Sequence, residues 1–178
     1  MPTPTPPLRD AAVLIPLYRD DAGQLRMVVI RRTEFGVHGG QLAFPGGKRE
    51  LQDASLEATA LRETEEEIGL PAAQVRVLGT LPPIVTEVSG FRIWPFVGHI
   101  EPSAQWRWQP TEIAEVLSVV VDDLLLPDAR VTETWQLPGW PAPVAVSFYQ
   151  VGPYPLWGAS YRMVRALLPR LVAGEWKL

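Results

Sequence analysis

Three glutamates, Glu63, Glu66 and Glu67, recur at spacings of three and four residues in the stretch ALRETEEEIGL (60–70). If that stretch is helical, Glu63 and Glu67 lie about 40° apart around the axis and Glu66 about 60° to the other side of Glu63. Glu65 points nearly the opposite way, toward solvent. Like charges one turn apart destabilise a helix by roughly 0.2–0.5 kcal/mol per pair, and carboxylates in the last turns also face the negative end of the helix dipole. A divalent cation is the simplest compensation. Carboxylate oxygens are hard ligands suited to Mg²⁺ or Mn²⁺, and Mg²⁺ commonly completes its shell with water and substrate phosphates. The chemistry that follows is metal-assisted attack of water on a phosphate ester or anhydride. Gly46 and Gly47, lacking Cβ atoms, let backbone pass close to such an anionic ligand.

The elements that must position these groups are legible around them. The acidic helix should run from about Ala54 to Ile68, with Asp53 capping its start, Gly69 at its C-cap and Pro71 preventing continuation. Leu56, Ala60, Thr64 and Ile68 form the stripe that packs it on a sheet. AAVLIPLYR (11–19) and LRMVVIRR (25–32) read as a β-hairpin, and QLAF (41–44) as a short strand entering the glycine turn. VRVLGTL (75–81), FRIWPFVGHI (91–100), EVLSVVV (115–121), RVTETWQL (130–137) and PVAVSFYQV (143–151) read as further strands that need partners from the first half. A second helix spans 155–174, with Trp157, Met163, Leu167, Leu168 and Leu171 at helical spacing. Many strands and two main helices imply an α/β fold in which helices cover a mixed sheet.

The 178 residues, 47% hydrophobic, suit one domain over 9–178 behind a loose, proline-rich arm at 1–8. A formal charge of −4 gives no broad basic face for nucleic acid, although Arg31 and Arg32 allow a local cationic pocket. No apolar run is long enough to span a membrane, and the first residues lack the pattern of a signal peptide. With no cysteine, disulfides and thiolate metal sites are excluded. A cytoplasmic protein without membrane or nucleic-acid partners is expected. Gly47-Lys48 lacks the other residues of a Walker loop, Leu42 standing where its first glycine belongs, and neither a G-x-S-x-G elbow nor an H-E-x-x-H motif occurs.

From Gly47 to Leu70 the chain resembles the Nudix box, G-x5-E-x7-R-E-U-x-E-E-x-G-U, U being a bulky aliphatic residue. Arg62, Glu63, Glu66, Glu67, Gly69 and Leu70 match its second half in order. Asp53 stands where a count from Gly47 puts the first glutamate, one extra residue separates it from Arg62, and Thr64 replaces an aliphatic residue. The resemblance implies an α/β/α sandwich with its mixed sheet between the box helix and the C-terminal helix. It also implies Gly47, Glu63, Glu66 and Glu67 as metal-binding residues, Arg62 as their support, and Mg²⁺ or Mn²⁺ as cofactor. The general base is left open among Glu66, Glu112 and Glu115, with Glu112 taken as the loop candidate.

Upstream, VVIRRTEFGVHGGQLAFPGG (28–47) is similar to the motif of the coenzyme A pyrophosphatase branch, L-L-T-x-R-[SA]-x3-R-x3-G-x3-F-P-G-G. Arg31, Gly40, Phe44, Pro45, Gly46 and Gly47 match, and His38 and Gln41 look like residues common in that branch. Arg32 replaces the small residue and Gly36 the second arginine. This implies a coenzyme A-like nucleotide substrate contacted by Arg31, His38, Gly40, Gln41, Phe44 and Gly46, with NADH, ADP-ribose or another dinucleotide as the alternative. A noncatalytic Nudix-like nucleotide-binding module is the rival of another class. Trp94 and Trp157 are expected to pack, while Trp106, Trp108 and Trp140, in loops, suit a homodimer interface.

Overall fold

Alternation along β1 (Arg9–Arg19) decides the architecture, because successive side chains of a strand point to opposite faces. Ala12 and Leu14 bury on one face, while Val13, Ile15 and Leu17 pack on the other. The strand is apolar on both sides and must be covered twice. The structure, a computed structural model, describes residues 7–34, 39–86, 89–101 and 106–178.

After β1 come β2 (Leu25–Arg32), β3 (Leu42–Ala43), β4 (Gly46–Lys48) and α1 (Leu56–Ile68). They are followed by β5 (Val75–Thr80), β6 (Ile84–Thr86), β7 (Phe91–Ile100), β8 (Ile113–Val120), β9 (Arg130–Trp135), β10 (Val144–Val151), β11 (Tyr154–Leu156) and α2 (Gly158–Val172). Among the described residues the main sheet has the order β3-β2-β1-β7-β5, with β4 on β1, β6 on β7 and β8 on β2. β1 and β7 run parallel and the other pairings are antiparallel, so the sheet is mixed as expected.

Ala60 and Ile68 of α1 bury against Ala12, Leu14, Val28 and Ile30. On the opposite face Met163, Val164, Leu167 and Leu168 of α2 join Ile15, Leu17, Met27 and Val29. This is the expected α/β/α sandwich. Burying one such aliphatic side chain contributes about 1.5–3 kcal/mol, so the two apolar layers fix where α1 sits and hence where its acidic face points.

Several boundaries differ from expectation, each for a local reason. Ser55, not Asp53, caps α1: its extended backbone lets Oγ accept from the N–H of Ala58 at 3.0 Å. The helix therefore begins at Leu56 rather than Ala54, and Asp53 is freed for another role. Gly69 terminates it in the left-handed conformation, φ 69°, as expected. The second helix starts only at Gly158, because residues 154–156 pair with β10 as β11. β9, β10 and β11 form a separate three-stranded sheet rather than pairing with strands of the first half. The short pieces β4 and β6, unforeseen, are held by pairing with β1 and β7 rather than by their own composition.

Candidate active site

Two consecutive glycines bring backbone against the carboxylates of α1. Gly46 has φ 154°, and a Cβ there would lie 2.3 Å from the Ala12 carbonyl oxygen, so only glycine fits. Its N–H donates to Glu67 Oε2 at 2.9 Å. At Gly47 a Cβ would lie 2.4 Å from Glu63 Cδ and 2.5 Å from each of its carboxylate oxygens. The turn is thus a cradle occupied by two carboxylates, and any side chain at 47 would displace one of them.

Behind the cradle stands Arg62. Its Nε donates to Asp53 Oδ1 at 2.9 Å and its Nη2 to Asp53 Oδ2 at 3.0 Å, a two-pronged geometry that fixes the guanidinium plane. Asp53 also accepts from Thr59 Oγ1 at 2.8 Å and from the N–H of Glu50 at 2.9 Å. These donors, Arg62 first, hold its carboxyl well below the usual carboxylate range. The Arg62 guanidinium is raised above its ordinary value, chiefly by the same bond. From there Arg62 reaches Glu63 at 3.1 Å, Glu66 at 3.3 Å and the Lys48 carbonyl at 3.3 Å. Asp53 is therefore the anchor of the supporting arginine.

Burial divides the three glutamates expected on one face. Glu67 is only 4% exposed, and burial pushes its carboxyl up to about 7, against the Gly46 N–H and Arg32, which favour the charged form. Glu63 is raised as well, first by burial, with Arg62 opposing. Glu66 lies outside them, exposed and paired with Arg62. Glu65 faces solvent as expected.

These residues suit a hard divalent cation. Two acids with raised affinity for a proton share a Cβ-free cradle, which is the donor chemistry such an ion takes. Among the described residues no three acidic or histidine side chains are drawn close enough to hold a metal unaided, so the shell would need oxygens from water or substrate.

The upstream motif is split between sheet faces. In β2, Val28 and Ile30 face α1 while Val29 faces α2, and the alternation carries on to Arg32 and Arg31. Arg32 lies 3.9 Å from Glu67, a contact not expected from the sequence. Arg31 instead faces the α2 side, 4.9 Å over the Tyr154 ring and paired with Glu34 at 2.9 Å and Glu115 at 3.4 Å. A register shift in the β2–β8 pairing falls between the two arginines.

Gly40, φ 72°, closes the loop by donating to the Thr33 carbonyl and packs on Glu34, and the Gln41 carbonyl accepts from the N–H of Arg32. Phe44 is buried in the core on the α2 face, so its place in the motif is one of packing. His38 lies outside the described residues. Glu112 is exposed, its N–H donating to the Gln109 carbonyl, while Gln109 N–H donates to the Glu67 carbonyl. Its charge adds to the upward push on Glu67, which places it within electrostatic reach of the cradle. Trp108 and Trp140 are 41% and 44% exposed, and Trp157 packs edge-on to Trp135.

An acidic helix laid against a double-glycine turn on a mixed sheet between helices defines a Nudix-type domain. Residues 8–137 match the family model of the NUDIX domain, and the chain belongs to the Nudix hydrolase family. It is 38% identical over 159 residues to a protein of Enterobacter sp. (strain 638) named Uncharacterized Nudix hydrolase NudL, a match covering 89% of this chain and 81% of that protein. The protein of the same name from Salmonella paratyphi B is 44% identical over 111 residues, which span 62% of this chain and little more than half, 57%, of that relative. Among solved structures, the Nudix hydrolase RenU of M. smegmatis superposes with a TM-score of 0.65 at 20% identity, covering 96% of this chain and 88% of RenU. The Nudix domain of Shewanella oneidensis NrtR complexed with ADP ribose gives a TM-score of 0.51 at 19% identity, over 66% of this chain and 76% of that one. Both share the fold.

Proposed function

We propose that this chain hydrolyses the pyrophosphate bond of a nucleoside diphosphate derivative, with coenzyme A or an acyl-coenzyme A as substrate. Water adds across the P–O–P bridge, giving 3′,5′-ADP and 4′-phosphopantetheine or its acyl form. The observation that carries the reading is the meeting of Glu63 and Glu67 at the Gly46–Gly47 cradle, braced by Arg62 on Asp53.

Mg²⁺ or Mn²⁺, the cofactors general to the family, would be held by Glu63, Glu66, Glu67 and Gly47 and would neutralise diphosphate oxygens and acidify water. Arg62 keeps Glu63 and Glu66 aimed at one place. Glu112 or Glu66, both exposed, can take the proton of the attacking water. Arg31 serves the nucleotide on the α2 face, and His38, Gly40 and Gln41 are the further contacts that the motif implies. The match of Arg31 and of the Phe44-Pro45-Gly46-Gly47 close to the coenzyme A branch motif supports this substrate. ADP-ribose is the second reading, favoured by the ligand of the NrtR Nudix domain.

The test is a product analysis by mass spectrometry with coenzyme A, NADH, ADP-ribose and diadenosine polyphosphates, each with Mg²⁺ or Mn²⁺. Release of 3′,5′-ADP from coenzyme A at the highest kcat/KM is the expected result. Turnover of ADP-ribose or NADH with coenzyme A untouched would transfer the activity to the second reading. No turnover of any nucleotide would leave only a binding module.

A further inference from the structure

One residue beyond the cradle the chain opens a second, cationic feature. A cleft of about 440 Å³ is lined by Arg9, Asp10, Lys48, Arg49, Glu50 and Leu51. The Arg9 guanidinium lies 4.2 Å from the centroid of the Phe91 ring and the Lys48 ammonium 5.8 Å from the same centroid. Two like charges are thereby gathered around one aromatic ring, an arrangement that the ring's π electrons favour and their mutual repulsion opposes.

The two acids of the cleft are engaged otherwise. Asp10 Oδ1 accepts from the Trp94 indole at 3.0 Å, and Glu50 accepts from the Gln52 amide. Among the described residues no carboxylate lies within ion-pair distance of Arg9, Lys48 or Arg49. Arg9 and Lys48 thus meet at one ring with neither acid of the cleft in ion-pair contact, while Arg49, beside them, donates to the Asp53 carbonyl at 3.5 Å. An anion is the missing partner.

Register shows how the cleft relates to the cradle. Arg9 pairs with Phe91 across β1 and β7, and Ala11 pairs with both Ile93 and Lys48. Ile93 packs on the α2 face, so Arg9, Lys48 and Phe91 share that face with Arg31. Gly47 pairs with Ala12 and belongs to the α1 face. Lys48 and the cradle are adjacent residues of one strand, about 3.3 Å apart along it. A ligand whose diphosphate rests at Gly47 can extend a short distance around this edge into the cleft.

We propose that the Arg9–Lys48–Arg49 cleft binds a phosphate monoester on the ribose of the nucleotide substrate, separate from the diphosphate that is cleaved. A terminal phosphate dianion takes several charge-assisted donors at once, and Arg and Lys around a concave edge supply them. The subsite rests on the pyrophosphatase reading and narrows it to nucleotides that carry such a monoester.

Two measurements on the intact chain test it. The first compares kcat/KM for coenzyme A with that for dephospho-coenzyme A, which differs only by the 3′-phosphate, in the wild type and in the Arg9→Gln/Lys48→Gln variant. The wild type should prefer the phosphorylated member at least tenfold, and the variant should lose most of that preference through KM. The second measures, by calorimetry, binding of 3′,5′-ADP, 2′,5′-ADP and 5′-AMP to both proteins, and needs no turnover. A wild-type preference of tenfold or more for either bisphosphate over 5′-AMP, abolished in the variant, supports the cleft even if no substrate is hydrolysed, and the better-bound isomer tells a 3′- from a 2′-phosphate. Hydrolysis of coenzyme A and dephospho-coenzyme A with equal efficiency, together with equal binding of the three mononucleotides, overturns the subsite while leaving the pyrophosphatase reading intact.

Discussion

Replacing Glu67 by glutamine should stabilise the metal-free protein at neutral and alkaline pH, even though it removes a residue assigned to the site. The buried carboxyl of Glu67 keeps its proton up to about pH 7, against an ordinary value of 4.5. The folded state thus binds the proton more tightly than the unfolded state does. As pH rises from 4.5 toward 7 the unfolded chain releases its proton first, so stability falls across that window and the loss is complete above 7. The gap corresponds to about 3 kcal/mol, an order-of-magnitude value at 1.36 kcal/mol per pH unit. Glutamine has almost the same shape, can still accept from the Gly46 N–H, and has no charge to bury. Urea denaturation in EDTA at several pH values would measure the effect. Glu67→Gln and wild type should coincide near pH 4.5 and diverge to about 3 kcal/mol by pH 8, a midpoint shift of about 1–3 M urea. Glu63, also raised, bends both curves, and because its charge is among the causes that raise Glu67 the difference includes their mutual repulsion. Millimolar Mg²⁺ or Mn²⁺ should restore the wild type by mass action, by about 2.7 kcal/mol at a hundred times Kd, and help the variant far less. A difference that stays flat from pH 5 to 8 would refute the idea that burial of this charge is the site's dominant electrostatic feature.

With metal present, Glu66→Gln and Glu67→Gln should each lower kcat by orders of magnitude with circular dichroism unchanged, and near-normal rates in both would remove them from the site. Asp53→Asn leaves Arg62 without its buried anionic partner and should cost about 3–5 kcal/mol in urea denaturation at pH 7. Because the Asp53 carboxyl sits below its ordinary 3.8, its stabilising contribution is present above that value and lost below it, so the deficit of the variant should shrink in acid. Arg31→Ala should raise KM for coenzyme A and leave kcat within a few-fold, since a contact to a distant part of the substrate is made alike in ground and transition states. An unchanged KM would confine Arg31 to its pairs with Glu34 and Glu115. Gly47→Ala should weaken Mn²⁺ binding, read by the paramagnetic signal of the free ion, because its methyl group would lie where the Glu63 carboxylate now sits.

How far the sequence carried depended on whether each signal was local. The acidic helix was readable because its stripe of Leu56, Ala60, Thr64 and Ile68 and its terminator Gly69 all lie within the element. Its cap was misplaced because Asp53 and Ser55 are both competent N-caps, and the choice is made by Arg62, nine residues on, which claims the aspartate. The same long-range bond explains the extra residue ahead of Arg62: an aspartate two positions before the cap reaches the guanidinium in two-pronged fashion. β4 was unreadable because Gly46-Gly47-Lys48 has no strand propensity and becomes extended only by pairing with β1. The three-stranded sheet was missed for the converse reason, since alternation in β9 and β10 marks them as strands without naming partners. Arg32 departs from the upstream motif, yet strand alternation places it on the face of Ile30 and therefore toward Glu67.

The arrangement of charges is best understood as a division of labour between two carboxylate environments. Asp53 is saturated with donors from Arg62, Thr59 and the Glu50 N–H, so its charge is stable at any neutral pH and it can act as a fixed strut. Glu67 receives one backbone N–H at 2.9 Å and a distant guanidinium at 3.9 Å, too little to offset its burial. If Arg62 were moved to pair with Glu67, that group would be as satisfied as Asp53 and would have no affinity left for a cation. Committing Nε and Nη2 of Arg62 to Asp53 leaves only Nη1 for Glu63 and nothing for Glu67, so the cradle is short of positive charge, and that shortage is what a metal ion and an anionic substrate can relieve together. Support of the helix and readiness for ligand thus come from one decision, which carboxylate the arginine grips. An Asp53→Ala chain should for that reason bind metal less tightly even though it has lost a negative charge, because the Nε and Nη2 donors released from Asp53 can join Nη1, which already meets Glu63 and Glu66, in gripping those carboxylates. Tighter Mn²⁺ binding in that variant would show that Arg62 has no other place to go.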